Sequence, residues 1–391
     1  ISLLFTTAAT YYVSSTVQNK ERLRFENDVQ TTQAKIQDRI EAYITLLRAG
    51  SGLFAASETV TSQEFRAFLN RMKLRGSYPG IQGIGYSARV PAAAKDAFVT
   101  QMRQQGIANF NIRPNYPRLE YHAIIYLEPQ DRRNRVAVGY DMFSEPVRRA
   151  AMERARDTGI PAASGKVTLV QEIDKHKQAG FLIYVPVYRG GNIPATKRQR
   201  QTELMGFIYS PFRADDLMNG IFGDEDRLVN FEIYDSHNVS SANLLHSSRS
   251  HTLNNRDRPQ FQTHKKIDLG GRTWSLVFTS RPELELASDI DLAPFVAFIG
   301  VAMSMILFAM THSLSSSRKA AERSAAALTE SEKRFRRLVE SNIFGVAFGN
   351  FQGKIHYAND YFLQLIGYER EDLLAGRLHW DSLTPAEFLP L

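Results

Sequence analysis

Residues Leu292 to Thr311 read LAPFVAFIGVAMSMILFAMT and contain no charged side chain. As an α-helix, twenty residues rise about 30 Å, which matches the hydrocarbon thickness of a bilayer. A buried core helix is the alternative, but core helices of this length usually keep a polar face. The stretch therefore predicts a transmembrane helix over residues 292–314.

The residues around this stretch orient the predicted helix. Acidic residues precede it and basic residues follow it: Glu283, Glu285, Asp289 and Asp291 before, and Arg318, Lys319 and Arg323 after. By the positive-inside rule, residues 315–391 are predicted to be cytoplasmic and residues 19–291 extracytoplasmic.

The N-terminal segment ISLLFTTAATYYVSSTVQ is also uncharged. We expect residues 1–18 to be the end of a first transmembrane helix, with Tyr11 and Tyr12 at the interface. A signal peptide is the alternative, but no basic region precedes the apolar run. Two spans would make the chain a multi-pass protein of the cell (inner) membrane.

Composition narrows the classes of function. The chain has no cysteine, which excludes disulfides, thiolate zinc sites and a cysteine nucleophile. Its net charge is +7, from 48 basic and 41 acidic residues, and the ten basic and ten acidic residues after Thr311 cancel. The basic excess is scattered over residues 1–291, so nucleic-acid binding is not predicted.

A helical pattern covers residues 19–57, which we interpret as a stalk. Apolar residues recur at heptad-like spacing: Val29, Ile36, Ile40, Tyr43 and Leu47. This seam favours pairing with a second copy of the chain. Packing of the same face against its own domain is the alternative, and one face could serve both. A second helix is predicted from Thr61, where Thr61 and Glu64 form a capping box.

Residues 58–212 alternate β-like runs with helical patterns, which predicts an α+β domain with a five- or six-stranded antiparallel sheet and helices on one side. A helix within it is expected between Ser144, as N-cap, and Gly159, with Pro146 in the first turn. The runs are IQGIGYSA from Ile81, YHAIIYLE from Tyr121, VAVGYD from Val136, KVTLVQE from Lys166, GFLIYVPVY from Gly180 and LMGFIYSPF from Leu204.

Residues 213–291 predict a smaller unit. A helix over 214–222 precedes the run LVNFEIYD, and Gly270-Gly271 predicts a two-residue turn between KKIDL and RTWSLVFTS. Beyond the apolar stretch, Leu314, Ala321, Leu328 and Phe335 keep a seven-residue spacing, which predicts a coiled-coil linker over 315–330 and a parallel dimer. Residues 331–391 predict the start of another domain.

Four strings in this order resemble the CHASE family of extracytoplasmic sensors: GYDM at Gly139, RARDTG at Arg154, SGKVTLVQE at Ser164 and GFLIYVPVY at Gly180. The resemblance implies a stalk helix, then tandem membrane-distal and membrane-proximal PAS-like domains, with the ligand in the distal one. Residues 331–391 resemble the N-terminal part of a PAS domain, with Asn359, Phe362, Gly367-Tyr368 and Gly376 at the family's positions.

The resemblance also suggests ligand-binding residues. Plant cytokinin receptors share this fold, and in them the aspartate of the matching stretch bonds the purine, so Asp141 is a predicted ligand anchor. Capping of the turn before Ser144 is an equally weighted alternative. Ala163 matches a position that covers the ligand. Strand position alone adds further residues: His122, Tyr126, Thr168 and Tyr184.

No catalytic set is present in the sequence. The nine histidines are dispersed, with no His-Glu-x-x-His motif, and we expect His246 and His251 to be solvated in a polar loop. No cofactor is predicted for the extracytoplasmic part, and the PAS part leaves its cofactor open, except that a flavin–cysteinyl adduct is excluded.

The sequence therefore predicts the sensory half of a sensor histidine kinase in a two-component system, with a small-molecule ligand that could be purine-like. A membrane diguanylate cyclase or phosphodiesterase is the alternative output. A non-sensing adhesion or structural ectodomain is the alternative from a different class.

Overall fold

The computed structural model describes residues 1–74, 78, 80–107, 109–175, 177–223, 227–249, 259–282, 284, 292–341 and 343–388. The four acidic residues that were predicted to precede the apolar stretch lie outside these ranges, as does His251. The chain forms two compact units, one of residues 12–292 and one of residues 1–11 with 293–391.

The larger unit mixes helices with two antiparallel sheets. Its helices are α1 (Ser2–Ala55), which begins in the other unit, α2 (Ser62–Arg71), α3 (Lys95–Gln104), α4 (Arg132–Ala137), α5 (Pro146–Thr158), α6 (Lys197–Glu203) and α7 (Ala214–Phe222). Its strands are β1 (Ile84–Pro91), β2 (Glu120–Glu128), β3 (Ala162–Ala163), β4 (Gly180–Tyr188), β5 (Leu204–Arg213), β6 (Val229–Tyr234), β7 (Leu244–Ser247), β8 (Gln262–Leu269) and β9 (Arg272–Ser280).

The apolar face of α1 packs against its own chain. The predicted seam residues Val29, Ile36 and Tyr43 are all buried within a single copy, as are Ile40 and Leu47. The Tyr43 ring lies 5.2 Å from that of Phe212 on β5. The alternative, packing of this face against its own chain, is therefore observed, and pairing of the stalk with a second copy stays a prediction.

The first sheet has the strand order β2-β1-β5-β4-β3, and neighbouring strands are antiparallel. One face packs under α1 and α2, where Phe65 stacks on Tyr126. The other face packs under α5, which contributes Ala151, Met152 and Ala155. The predicted sheet is confirmed as five-stranded, but helices cover both of its faces instead of one.

Two of the predicted β-like runs are not strands of this sheet. The first two residues of VAVGYD end α4, and the rest forms only isolated bridges at Tyr140 and Asp141. KVTLVQE bridges only at Val167. The backbone of residues 139–141 bonds β2 and the segment before it: the Gly139 amide donates to the Ile124 carbonyl, and the Asp141 amide donates to the Arg113 carbonyl. Neither run adds a strand to the first sheet.

The caps of α5 differ in part from the prediction. Glu145, and not Ser144, is the N-cap, because its carboxylate accepts hydrogen bonds from the Val147 and Arg148 amides. Pro146 in the first turn is confirmed, and Gly159 ends the helix in the left-handed region at φ 76°. The Thr61–Glu64 capping box of α2 is also confirmed.

The second sheet has the order β7-β6-β9-β8. The predicted hairpin between β8 and β9 is confirmed, with Gly270 and Gly271 at φ 50° and 74°. A two-residue turn that needs positive φ at both positions strongly favours glycine. The predicted helix over 214–222 is α7, which packs beside β7.

A polar junction ties the first sheet to this hairpin. The Asp235 carboxylate, at the end of β6, accepts hydrogen bonds from the Lys166 amide at 2.6 Å and from Arg272 Nε at 2.7 Å. The Ala163 amide of β3 donates to the Gly270 carbonyl at 3.1 Å. The segment after β3 and the β8–β9 turn are thus bonded directly to each other.

The smaller unit contains α8 (Leu292–Glu340), β10 (Ala347–Gly349), β11 (Ile355–Ala358), α9 (Asp360–Ile366), α10 (Arg370–Leu374) and α11 (Trp380–Leu383). Within the described residues, α8 is the one helix long and apolar enough to cross a membrane, by length and composition. The N-terminal segment belongs to α1 and does not meet that criterion. The predicted linker continues α8 without a break, and Leu314, Leu328 and Phe335 are exposed on it.

The buried side chain of Asn359 organises the start of the C-terminal domain. Its Oδ1 accepts hydrogen bonds from the Val346 and Phe362 amides, and its Nδ2 donates to the Val339 and Phe344 carbonyls. One side chain therefore joins the last turn of α8, the start of β10 and the N-terminus of α9.

Candidate functional site

A row of polar side chains crosses the face of the first sheet that lies under α5. The row runs over four adjacent strands: His122 on β2, Ser87 on β1, Tyr209 on β5 and Tyr184 on β4. All four side chains are completely buried. Neither phenol hydroxyl, nor the Ser87 hydroxyl, nor either His122 ring nitrogen has a hydrogen-bond partner among the described residues.

Strand register sets the two tyrosines side by side. Tyr184 and Tyr209 are directly opposite each other in the β4–β5 ladder, with ring centroids 6.2 Å apart. The Tyr209 ring lies over Gly85 of β1, where an added Cβ would come within 2.6 Å of ring carbons. Glycine at position 85 is therefore required for the observed position of this ring.

An ionic group flanks the His122 end of the row. The His122 Nε2 lies 3.9 Å from Glu120 Oε1, and Arg89 Nε lies 2.7 Å from Glu120 Oε2. The His122 ring, and after it the Arg89 guanidinium, lower the pKa of Glu120 to about 2. Burial lowers the pKa of His122, so the imidazole is neutral near pH 7 and can both donate and accept.

Arg148 of α5 flanks the tyrosine end. Its side chain is buried, and its hydrogen bonds go to neutral oxygens, the Tyr140 hydroxyl at 3.2 Å and the Thr168 carbonyl at 2.9 Å. The nearest carboxylate oxygen, of Glu145, is 3.7 Å away. Burial raises the pKa of Tyr184 and Tyr209 well above the ordinary value, and the Arg148 charge opposes this rise.

Asp141 lies beside this row with both carboxylate oxygens engaged. Oδ1 accepts from the His122 amide at 2.8 Å and from the Phe143 amide at 3.1 Å, which caps a short 3₁₀ turn over Met142–Ser144. Oδ2 accepts from Arg118 Nη1 at 3.0 Å. The alternative in which Asp141 braces the turn describes these contacts.

The other residues predicted from strand position are distributed differently. Tyr126 lies on the opposite sheet face, and its hydroxyl donates to the Val60 carbonyl at 2.9 Å. Ala163 also packs on that face, whereas Ala162 is the β3 residue opposite Tyr184. The Thr168 side chain is exposed. The structure thus brings His122 and Tyr184 together with Asp141, and separates Tyr126, Ala163 and Thr168 from them.

Three further residues of this site were not predicted from the sequence. Ser87 and Tyr209 lie in β-like runs that the sequence does show, but alternation alone does not say which face meets α5. Arg148 belongs to the helix predicted between Ser144 and Gly159. The signal available was its position two residues after Pro146, on the side that carries Ala151, Met152 and Ala155.

Other parts of the chain offer weaker sites. His246 lies buried on β7, with Nδ1 2.6 Å from Asp215 Oδ1, so the expectation of a solvated loop histidine is wrong. No group of three or more histidine, aspartate or glutamate side chains suitable for a metal occurs within the described ranges. An open groove of about 340 Å³ between α1 and β8 is lined by long surface side chains, among them Arg22, Gln260 and Lys265.

Comparison with known families agrees with this organisation. Residues 58–246 match the CHASE domain and residues 333–390 match a PAS domain. The chain therefore contains a CHASE-domain match and a PAS-domain match, and the resemblance stated above is confirmed.

Two curated relatives are hybrid signal-transduction proteins, and one of them is named as a histidine kinase. Over 177 residues, 40% of this chain and 8% of the relative, it is 23% identical to hybrid signal transduction histidine kinase A of Dictyostelium discoideum. Over 50 residues, 13% of this chain and 3% of the relative, it is 48% identical to hybrid signal transduction protein dokA of the same organism. The matched regions span less than a tenth of the length of these relatives.

Proposed function

We propose that this chain is the sensory part of a membrane-bound sensor histidine kinase, and that a small molecule binds on the α5 face of the first sheet. The observation that carries this proposal is the row of buried, unpaired polar groups formed by His122, Ser87, Tyr209 and Tyr184. Leaving a buried polar group without a partner costs about 1–3 kcal/mol. Four such groups in one row are best explained by a ligand that satisfies them.

The proposal includes the wider architecture. The two sheets of the larger unit would be tandem PAS-like domains, distal over 58–212 and proximal over 213–291. Residues 1–18 and α8 would both cross the membrane, in agreement with the uncharged N-terminal segment and with the packing of Thr6 against Gly300, where an added Cβ would lie 2.3 Å from a Thr6 methyl. Small residues are typical of such helix contacts in membranes.

Signal transfer would use contacts that lie within the larger unit. The ligand would change the packing of β3 and α5, and the junction of Asp235 with Lys166 and Arg272 would pass the change to the β8–β9 hairpin. For this to signal, the ligand must bind one state of the sensor better than the other, and a coupling of about 1–3 kcal/mol suffices.

A binding screen tests the proposal. The full chain, reconstituted in lipid nanodiscs, is melted with purines, amino acids, organic acids and short peptides, and hydrogen exchange is measured with every compound that raises the midpoint. We expect at least one class to raise the midpoint and to protect β3, β4 and β5. If every class leaves the midpoint and the exchange unchanged, the adhesion or structural alternative is favoured.

A further inference from the structure

The charges around the polar row are not symmetric. At the Asp141 end the carboxylate is already matched by Arg118 and by two backbone amides. At the tyrosine end the buried Arg148 guanidinium donates, among the described residues, to the Tyr140 hydroxyl and the Thr168 carbonyl, and the Glu145 carboxylate lies 3.7 Å away. The Asp141 carboxylate thus has a guanidinium within hydrogen-bond distance, whereas the carboxylate nearest to Arg148 lies beyond it.

The hydrogen-bonding capacity of the tyrosine end is also unused. The hydroxyls of Tyr184 and Tyr209 are buried and have no partner within the part of the chain that the structure describes, and the two residues are directly opposed on neighbouring strands. A phenol donates one hydrogen bond, and the Arg148 charge acts on both of these phenols, so the tyrosine end offers two donors and a positive charge to an anion. Charge-assisted hydrogen bonds from such donors to an anionic oxygen are about twice as strong as neutral ones.

We propose that the ligand carries a carboxylate and that Tyr184, Tyr209 and Arg148 receive it. This deepens the proposed function and rests on it. Ser87 and His122, which can each donate and accept, would contact the remainder of the molecule. The ligand is thus an organic acid, and a purine held at Asp141 is not expected, because the Arg118 guanidinium and two backbone amides already bond that carboxylate.

Matched pairs of acids and amides test this choice of ligand. Binding to the full chain in nanodiscs is measured by calorimetry for acetate, succinate and benzoate, for acetamide, succinamide and benzamide, and for adenine. We expect at least one acid to bind about tenfold or more tightly than its amide, because the amide lacks the charge. Binding of adenine or of the amides, with no preference for any acid, would overturn the carboxylate but leave sensing intact. Failure of all seven compounds would overturn the carboxylate ligand, whereas the sensing proposal fails only if the wider screen of purines, amino acids, organic acids and peptides also fails.

Phenylalanine variants test the site residues. Tyr184→Phe and Tyr209→Phe each remove one unpaired hydroxyl, so the thermal midpoint without ligand is expected to stay the same or rise. Each variant is also expected to weaken binding of the acid about tenfold. Tyr188→Phe is the matched control, since its hydroxyl donates to the Arg156 carbonyl at 2.6 Å and it should lower the midpoint without changing affinity. If the Tyr184 and Tyr209 variants melt below wild type, trapped water already satisfies both hydroxyls and the proposal fails.

Discussion

Arg118 Nη1 lies 3.0 Å from Asp141 Oδ2, and these two side chains close the end of the polar row nearest β2. The Asp141 carboxylate is fully buried, whereas Arg118 remains 13% exposed. A buried ion pair of this kind is costly to break from one side, because the remaining charge stays without a partner. Asp141 is thus a structural centre of the loop before α5.

Asp141→Ala should therefore destabilise the loop strongly. The change leaves Arg118 and two amides, of His122 and Phe143, without their acceptor. We expect a loss of about 3–5 kcal/mol in the local opening free energy, measured by native-state hydrogen exchange over residues 139–145. Glu41→Ala, at an exposed position of α1, is the control and should change little. An Asp141→Ala protein with unchanged exchange but lost ligand binding would instead support the anchoring role.

The neutral state of His122 predicts a pH dependence of stability. Burial lowers the pKa of His122 in the folded chain, so the unfolded chain binds its proton first as pH falls. The stabilisation is complete above the unfolded value of about 6.5 and decreases as pH falls from there towards the folded pKa. The pKa of Glu120 is about 2, so this neighbouring carboxylate stays ionised over the pH window from 7 to 5.

The measurement compares the thermal midpoints of wild type and His122→Phe across that window. Wild type should lose stability between pH 6.5 and pH 5 by more than the variant does. The other histidines are common to both proteins and cancel in the difference. Parallel curves for the two proteins would show that His122 accepts a proton in the folded state.

The polar junction between the two sheets predicts linked opening. Asp235→Ala removes the acceptor of the Lys166 amide and of Arg272. We expect a loss of about 2–3 kcal/mol from the lost charged hydrogen bonds, seen as faster exchange of both the 162–168 segment and the β8–β9 turn. Asp268→Ala, which removes an exposed bond to Thr273 in the same hairpin, is the control and should affect the turn alone. Faster exchange on only one side of the junction after Asp235→Ala would argue against coupling.

The proposed homodimer can be tested on the exposed stripe of α8. Because the chain has no cysteine, a single introduced cysteine is a unique probe. Leu328→Cys lies in the seven-residue stripe and is predicted to form a disulfide between copies in membranes within minutes of mild oxidation. Glu330→Cys, two residues further and so on the opposite side of the helix, should cross-link poorly. Equal cross-linking of the two variants would contradict a specific coiled coil.

Much of the fold follows from local sequence rules. The β4 and β5 runs, the Gly270-Gly271 turn and the Thr61–Glu64 capping box were all predictable, because each depends on neighbours in sequence. The surface that the apolar face of α1 packs against was not predictable, because the same apolar spacing is compatible with a second copy of the chain and with the chain's own sheet. VAVGYD resembles a strand in composition, but its first two residues end α4 and the rest forms isolated bridges.

The site was predictable only in part, for a related reason. His122 and Tyr184 were found from strand position. Ala163 was predicted at the site, but a difference of one residue along β3 places Ala162 opposite Tyr184 and Ala163 on the other face of the sheet. Tyr209 and Ser87 became recognisable only when the order β2-β1-β5-β4 placed them in one row. No sequence pattern encodes which strands are neighbours in space.

The four hydrogen bonds of Asn359 have a mechanical consequence. They connect the last turn of α8 to the first strand and the first helix of the domain that follows, and this side chain restrains movement between them. A rotation of α8 about its long axis would thus also rotate β10 and the N-terminus of α9, because the Asn359 hydrogen bonds couple these elements to the helix.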